Sequence, residues 1–115
     1  LKSKKSRYII TSGGGGGIME AAKNNAEDLW RLPLQAGYAK QMKSEIADLR
    51  NISKGSYGGA ITAGLFLKEF VDEGQSWMHM DIAGPAYVSE PYANYIGKDG
   101  TGYAVRTMVD WLRSL

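Results

Sequence analysis

Five consecutive glycines, Gly13–Gly17, constrain the fold of this 115-residue chain more than any other feature of its sequence. Glycine has no side chain to pack into a core, and its backbone loses the most conformational entropy on ordering. Phosphate-binding loops carry further residues at fixed offsets, such as a terminal GK[ST], and none is present here. The run therefore predicts a flexible connector of the kind used as an engineered linker. It divides the chain into a basic arm with a short strand (1–12), a glycine linker (13–17) and a folded segment (18–115).

The arm before the glycines is strongly basic, although the whole chain has a net charge of only +2. It contains Lys2, Lys4, Lys5 and Arg7 and no acidic residue among its first seven positions. A short basic arm of this kind can contact nucleic acid or an acidic membrane surface, and its other interpretation is a solvated terminus. The aromatic and β-branched residues at 8–11 predict a short strand.

The composition excludes several classes of functional site. The chain contains no cysteine, so disulfides, thiolate zinc sites and cysteine nucleophiles are absent. Its single histidine, His79, would have to support any Ser-His-Asp relay or histidine-rich metal site. No apolar run approaches the roughly 20 residues that cross a bilayer, and residues 1–12 lack a secretory signal. We therefore expect a cytoplasmic protein with no membrane partner.

The spacing of apolar residues predicts four helices and two strands. The predicted helices lie at about 18–31, 36–50, 60–71 and from 104 onward, and the predicted strands lie at 8–11 and 77–83. In the last helix, Val105, Met108, Val109 and Leu112 are expected to face inward. The order of elements indicates an α/β fold class, with a small sheet flanked by helices.

The third predicted helix has hardly any polar face, since residues 60–67 read AITAGLFL. Such a helix should be covered on nearly every side. The segment WMHMDIA at 77–83 is bounded by turn residues and is expected to form a central strand. A sheet of two strands cannot enclose that helix and also cover its own faces. The chain is therefore predicted to be an incomplete piece of a larger α/β domain.

Five segments of the chain carry a resemblance to a known family. They are LWRLPL at 29–34, IADLRNI at 46–52, YGGAITAGLFLKEFV at 57–71, WMHMDIAGPA at 77–86 and GTGYAVRTMVDWL at 100–112. Together, in this order and spacing, they resemble the C-terminal part of the catalytic domain of the leucyl aminopeptidase (cytosol aminopeptidase) family. The resemblance covers about residues 18–114. It implies a hexameric enzyme in which two divalent metals, zinc or manganese, activate a bridging water to remove the N-terminal residue of a peptide.

The resemblance also implies that the metal ligands lie outside this chain. In the family they are a lysine and several carboxylates upstream of the matched part, and they include an NTDAEGR signature that does not occur here. We therefore expect no catalytic residue, no metal ligand and no cofactor within this chain. Most acidic residues, Glu27 and Asp28 among them, are interpreted as solvated helix faces. Asp81 and His79 share one face of a buried strand, where a paired or capped carboxylate and a hydrogen-bonded core histidine are expected.

The resemblance assigns three residues, Ile52, Ala83 and Ala86, to the walls of the hydrophobic pocket for the first side chain of the substrate. Small residues after a strand leave room for a ligand side chain, which is an independent physical reason for the two alanines. The same residues would equally permit close packing.

Three functional hypotheses follow from the sequence. The first is an excerpt or engineered reduction of an aminopeptidase catalytic domain, inactive by itself, that supplies pocket walls and subunit contacts. The second is an intact, active metalloaminopeptidase of which this sequence is an incomplete part. The third is a small binding module with a basic arm, although the tyrosines have too few cations around them to favour nucleic acid. A peptide substrate is expected only if the rest of the enzyme is present, and the surplus of apolar helix surface predicts self-association.

Overall fold

The computed structural model describes residues 8–12 and 17–115, with side chains from Gly17 onward. The predicted basic arm at 1–7 and the linker residues 13–16 lie outside this part of the chain. The elements in order are β1 Tyr8–Ser12, α1 Ile18–Asn24, β2 Arg31–Leu32, a 3₁₀ helix Ala36–Met42, α2 Gly59–Lys68, β3 Trp77–Asp81, β4 Tyr87–Val88, β5 Asp99–Gly100 and α3 Val105–Arg113.

A three-stranded sheet with the order β2-β1-β3 organises the fold. Its middle strand β1 pairs in parallel with β2 and antiparallel with β3, so that Ile10 lies opposite both Leu32 and His79. The expectation that the strand at 77–83 is central is wrong for the described residues, because β3 lies at an edge there. The apolar pattern of β3 indicates how far its two faces are covered, and the structure shows both faces half-buried. The pattern does not indicate how many strands pair with β3. The strands β4 and β5 form a separate antiparallel pair.

The first helix ends earlier than its apolar periodicity predicts. It stops at Asn24, where the next residues leave helical geometry and Ala26 takes a φ of 53°. The Glu27 amide then donates to the Ala22 carbonyl at 2.9 Å, which closes the helix end. Pro33 does not set the boundary, because Arg31 and Leu32 have already joined the sheet as β2.

The predicted helix at 36–50 is confirmed only in its first half, as a 3₁₀ helix that ends at Met42. The Ser44 hydroxyl accepts hydrogen bonds from the amides of Ile46 and Ala47, which gives the backbone an alternative to helical bonding. Ile46 is 99% exposed and Tyr38 is also exposed, whereas Met42 is buried, so the apolar face predicted for this helix is packed only in part within the described structure. An amphipathic helix depends on such packing for most of its stability.

Helix α2 is covered on one side only by the described residues. Thr62, Gly64 and Leu65 are buried where the helix packs on the 3₁₀ helix, β3 and β1. Leu67 is exposed, and Phe70, just beyond the helix, is 70% exposed. The expectation of a helix covered on nearly every side is therefore not met here, and an apolar face remains on the outside.

Helix α3 packs against α1, but most of its apolar residues do not lie on the buried face. Val105, Val109 and Leu112 are exposed, so the inward face predicted for the last helix is wrong at these positions. Thr107 is fully buried instead, as is Ile18 of α1. None of the described helices has the length and apolar character needed to span a membrane.

Candidate functional site

The two alanines that the sequence assigns to a pocket wall, Ala83 and Ala86, lie in one tight turn after β3. The Ala86 amide donates to the Ile82 carbonyl at 2.9 Å, which closes the turn. The Ala83 amide donates to Asp81 Oδ1 at 3.2 Å, so the Asp81 carboxylate is capped as predicted, through an exposed hydrogen bond and not inside the fold. Ala83 is exposed and Ala86 is half-buried, so neither small side chain is fully enclosed by the described residues.

A second loop, which contains Thr101, is hydrogen-bonded to this turn. Thr101 Oγ1 donates to the Pro85 carbonyl at 2.6 Å, and the Thr101 amide donates to the Ala86 carbonyl at 2.9 Å. The same hydroxyl accepts a hydrogen bond from the Tyr103 amide at 3.2 Å. Sequence reasoning missed Thr101, because its role depends on two carbonyls that lie 15 or more positions earlier in the chain.

The third predicted wall residue, Ile52, lies apart from this turn in sequence, in the loop between the 3₁₀ helix and α2. Gln41 anchors that loop, because its carbonyl accepts from the Lys54 amide and its Oε1 accepts from the Gly55 amide, both at 3.2 Å. Ile52 is 72% exposed. The described structure thus brings Ala83 and Ala86 together in one turn and leaves Ile52 as an exposed apolar residue on another loop.

His79 differs from the hydrogen-bonded core histidine that the sequence predicts. Its Nε2 atom is buried and has no hydrogen-bond partner among the described residues. Its ring lies nearly parallel to the indole of Trp77, with 6.3 Å between the ring centroids. Burial lowers the pKa of His79 below its ordinary value, and the negative charge of Asp81 opposes this shift in part. The neutral imidazole is therefore the form that the fold favours.

Glu27 is also misassigned by the sequence, which predicts a solvated residue. It is only 5% exposed, and its carboxylate accepts hydrogen bonds from the amides of Ala104 and Thr107 at 3.2 and 3.3 Å and from Thr107 Oγ1 at 2.5 Å. Arg106 Nη2 lies 3.5 Å from the same carboxylate. The carboxylate therefore caps the N-terminus of α3. The signal for this role is Ala104 at the cap position, since alanine has no side-chain oxygen and leaves the cap to another residue.

A shallow groove of about 520 Å³ lies between the end of α2 and the start of β3, away from the predicted wall residues. Its lining comprises Lys68, Val71, Asp72, Glu73, Gly74, Gln75, Ser76 and Trp77. Five of these eight residues have polar or charged side chains, so the groove does not form the apolar wall expected for the first side chain of the substrate. Within residues 8–12 and 17–115, no three histidine, aspartate or glutamate side chains are grouped so that they could hold a metal ion.

Comparison with known proteins identifies the family. Residues 16–109 match the family described as the cytosol aminopeptidase family, catalytic domain. Leucine aminopeptidase A1, chloroplastic, of Solanum lycopersicum is 46% identical over 83% of this chain and 15% of its own length. A probable cytosol aminopeptidase of Alkaliphilus metalliredigens is 52% identical over 85% of this chain and 19% of its own length. The chain thus spans less than a fifth of either relative.

Solved structures give the same result. The bottromycin maturation enzyme BotP in complex with Mn superposes on 96% of this chain and 25% of its own, with a TM-score of 0.88 and 35% identity. A mutant of tomato leucine aminopeptidase covers 99% of this chain and 22% of its own, with a TM-score of 0.84 and 38% identity. The predicted fold class, a small α/β sheet flanked by helices within an aminopeptidase catalytic domain, is confirmed. The chain belongs to the cytosol aminopeptidase family, as its resemblance to the leucyl aminopeptidases indicates.

Proposed function

We propose that this chain supplies walls of the substrate pocket of a dinuclear-metal aminopeptidase that removes N-terminal residues from peptides. The observation that carries the proposal is the match of residues 16–109 to the catalytic domain of the family. The turn after β3 supports it, because Ala83 and Ala86 leave space beside a fixed backbone. Ile52 would add a larger apolar surface from the loop before α2.

We propose that the residues that carry out the reaction lie outside these 115 positions. The described side chains do not fit a pair of metal ions, so no step of the hydrolysis is assigned to them. The intact family uses zinc or manganese, and one similar structure is described as a complex with Mn. This chain on its own is therefore proposed to be inactive, with a role in binding the first side chain of the substrate.

The location and assembly of the protein are part of the same proposal. The relatives include probable cytosol aminopeptidases and chloroplastic forms, and we propose a cytoplasmic location. Exposed apolar side chains, among them Ile46, Ile52 and Phe70, support self-association. The peptide substrate would be bound only where the rest of the enzyme completes the pocket.

Hydrolysis of leucine p-nitroanilide tests the proposal. The purified 115-residue chain is expected to release no product at any manganese or zinc concentration, whereas the natural full-length protein is expected to turn over the substrate with manganese. Intact-mass measurement establishes which of the two forms is in the assay, and chelation of the metal is the control. Saturable turnover by the 115-residue chain would refute its proposed inactivity, and a metal-loaded full-length protein without turnover would refute the aminopeptidase function.

A further inference from the structure

We propose that Thr101 is a positioning residue: it fixes the turn that carries Ala83 and Ala86, and thereby sets how strongly the pocket prefers a large first side chain in the substrate. This inference rests on the proposed function, because that function assigns the two alanines to the pocket wall.

The hydrogen bonds of Thr101 restrain the turn at two successive peptide units. The hydroxyl holds the carbonyl of Pro85 and the amide holds the carbonyl of Ala86, at 2.6 and 2.9 Å. The hydroxyl also accepts from the Tyr103 amide, so it donates on the Pro85 side and accepts on the Tyr103 side. These two hydrogen bonds fix the orientation of the Thr101 side chain, and the side chain in turn restrains the position of the turn.

The loop that carries Thr101 is itself anchored to the α1–α3 core. Tyr103 is buried, and its hydroxyl donates to the Asp28 carbonyl at 2.5 Å. The next amide, that of Ala104, donates to the buried Glu27 carboxylate. Thr101 therefore links the turn that carries the pocket wall, which lies at the surface, to the buried core of the molecule.

Loss of the Thr101 hydroxyl should weaken the binding of the first side chain of the substrate and leave the rate of the chemical step unchanged. The wall would be held less firmly, because the Pro85 carbonyl and the Tyr103 amide would lose their partner while the Thr101 amide still donates to the Ala86 carbonyl. A leucine side chain depends on contact with the wall, whereas a glycine at the same position has no side chain to lose contact. The KM for an N-terminal leucine should rise, and the KM for an N-terminal glycine and both kcat values should stay near wild type.

Three variants of the natural full-length protein test this inference with leucine and glycine p-nitroanilides. Thr101→Val removes the hydroxyl at nearly constant volume, and Thr101→Ser retains it. Thr62→Val is the matched control, because the Thr62 hydroxyl donates to the Gly59 carbonyl within α2, away from the turn. We expect Thr101→Val to raise the leucine KM by about tenfold, the size expected for one lost hydrogen bond, with the glycine KM unchanged. Thr101→Ser and Thr62→Val should keep the wild-type preference for leucine over glycine.

A second measurement does not depend on activity. The Ala86 amide closes the turn, so its hydrogen exchange in the 115-residue chain should be about tenfold faster in Thr101→Val and unchanged in Thr101→Ser. Equal changes in the leucine and glycine KM values, a serine variant that behaves like valine, or a valine variant that loses the wild-type circular dichroism spectrum would overturn the inference. Unchanged Ala86 exchange in Thr101→Val would also overturn it. If exchange changes but no form of the protein hydrolyses either substrate, the proposed function fails and the pocket-selection part of the inference fails with it.

Discussion

At the scale of single residues, His79 shows how a buried polar atom can link the fold to pH. Its Nε2 atom is buried without a partner in the described structure, and the imidazole is held beside Trp77. Burial lowers the pKa of His79 in the folded state, so the unfolded chain binds this proton more tightly than the folded chain does. Protonation therefore favours unfolding. The stabilising effect of the neutral form is present above the ordinary histidine pKa of about 6.5 and is lost as the pH falls through the lowered value.

We predict that the free energy of unfolding of the wild type decreases more between pH 7 and 5 than that of His79→Gln. Glutamine removes the titrating group and keeps a polar side chain of similar length. Urea unfolding at intervals of half a pH unit measures the difference between the two proteins, which removes the contribution of the carboxylates common to both. Parallel pH profiles for the two proteins would contradict the linkage of His79 to stability.

Sequence reasoning at this scale identifies residue types better than environments. Asp81 is predicted to be capped, and the Ala83 amide caps it. Glu27 is predicted to be solvated but is buried against α3, and its three partner residues lie about 80 positions further along the chain. A local pattern cannot show a contact of this range. For Ile52, the sequence suggests a wall residue, and the structure adds only that its side chain is exposed.

At the scale of secondary structure, the start of α3 depends on that buried carboxylate. Replacement of Glu27 by glutamine removes the charge that favours the helix N-terminus and the contact with Arg106. The amide oxygen can still accept hydrogen bonds, but the amide nitrogen replaces the second acceptor with a donor. We expect Glu27→Gln to lower the free energy of unfolding by about 1–3 kcal/mol, as measured by urea denaturation. Glu45→Gln, in an exposed loop, is the control and should change stability by less than about 0.5 kcal/mol. Equal effects of the two substitutions would exclude the capping role.

The start of α2 offers a second test at this scale, with two adjacent glycines. Gly58 has a φ of +71°, and a Cβ atom there would lie 2.8 Å from the Tyr38 ring. Gly59 begins the helix with open space around its Cβ position. We expect Gly58→Ala to destabilise the chain by about 1–2 kcal/mol and Gly59→Ala to be neutral or slightly stabilising. Thermal unfolding of both variants gives the comparison, and a Gly58→Ala protein as stable as Gly59→Ala would contradict the strain argument.

At the scale of the whole molecule, the sequence predicts an incomplete domain from one mismatch, an apolar helix with too few strands to enclose it. The structure shows an exposed apolar face on α2, and the chain covers a quarter or less of the length of the similar solved structures. The radius of gyration of 15.7 Å also exceeds the roughly 13 Å of a compact domain of this length. The sequence could not predict which apolar helix faces would be left uncovered. The residues at 36–50 and in α3 have the same helical periodicity whether or not another element packs on them.

Self-association of the 115-residue chain is the prediction that belongs to this scale. Phe70 is largely exposed and lies edge-on to the half-buried Phe66, with 5.3 Å between the ring centroids, so the Phe70 ring extends an apolar surface at the end of α2. An exposed apolar surface of this kind favours contacts between copies because it removes apolar area from water. Light scattering across a concentration series should show oligomers for the wild type and a clear shift toward monomer for Phe70→Ser. Leu115→Ser provides the control, since Leu115 is also exposed but is the last residue of the chain, away from α2. A monodisperse wild-type monomer would contradict the prediction, and an equal shift in both variants would place the contact elsewhere than at α2.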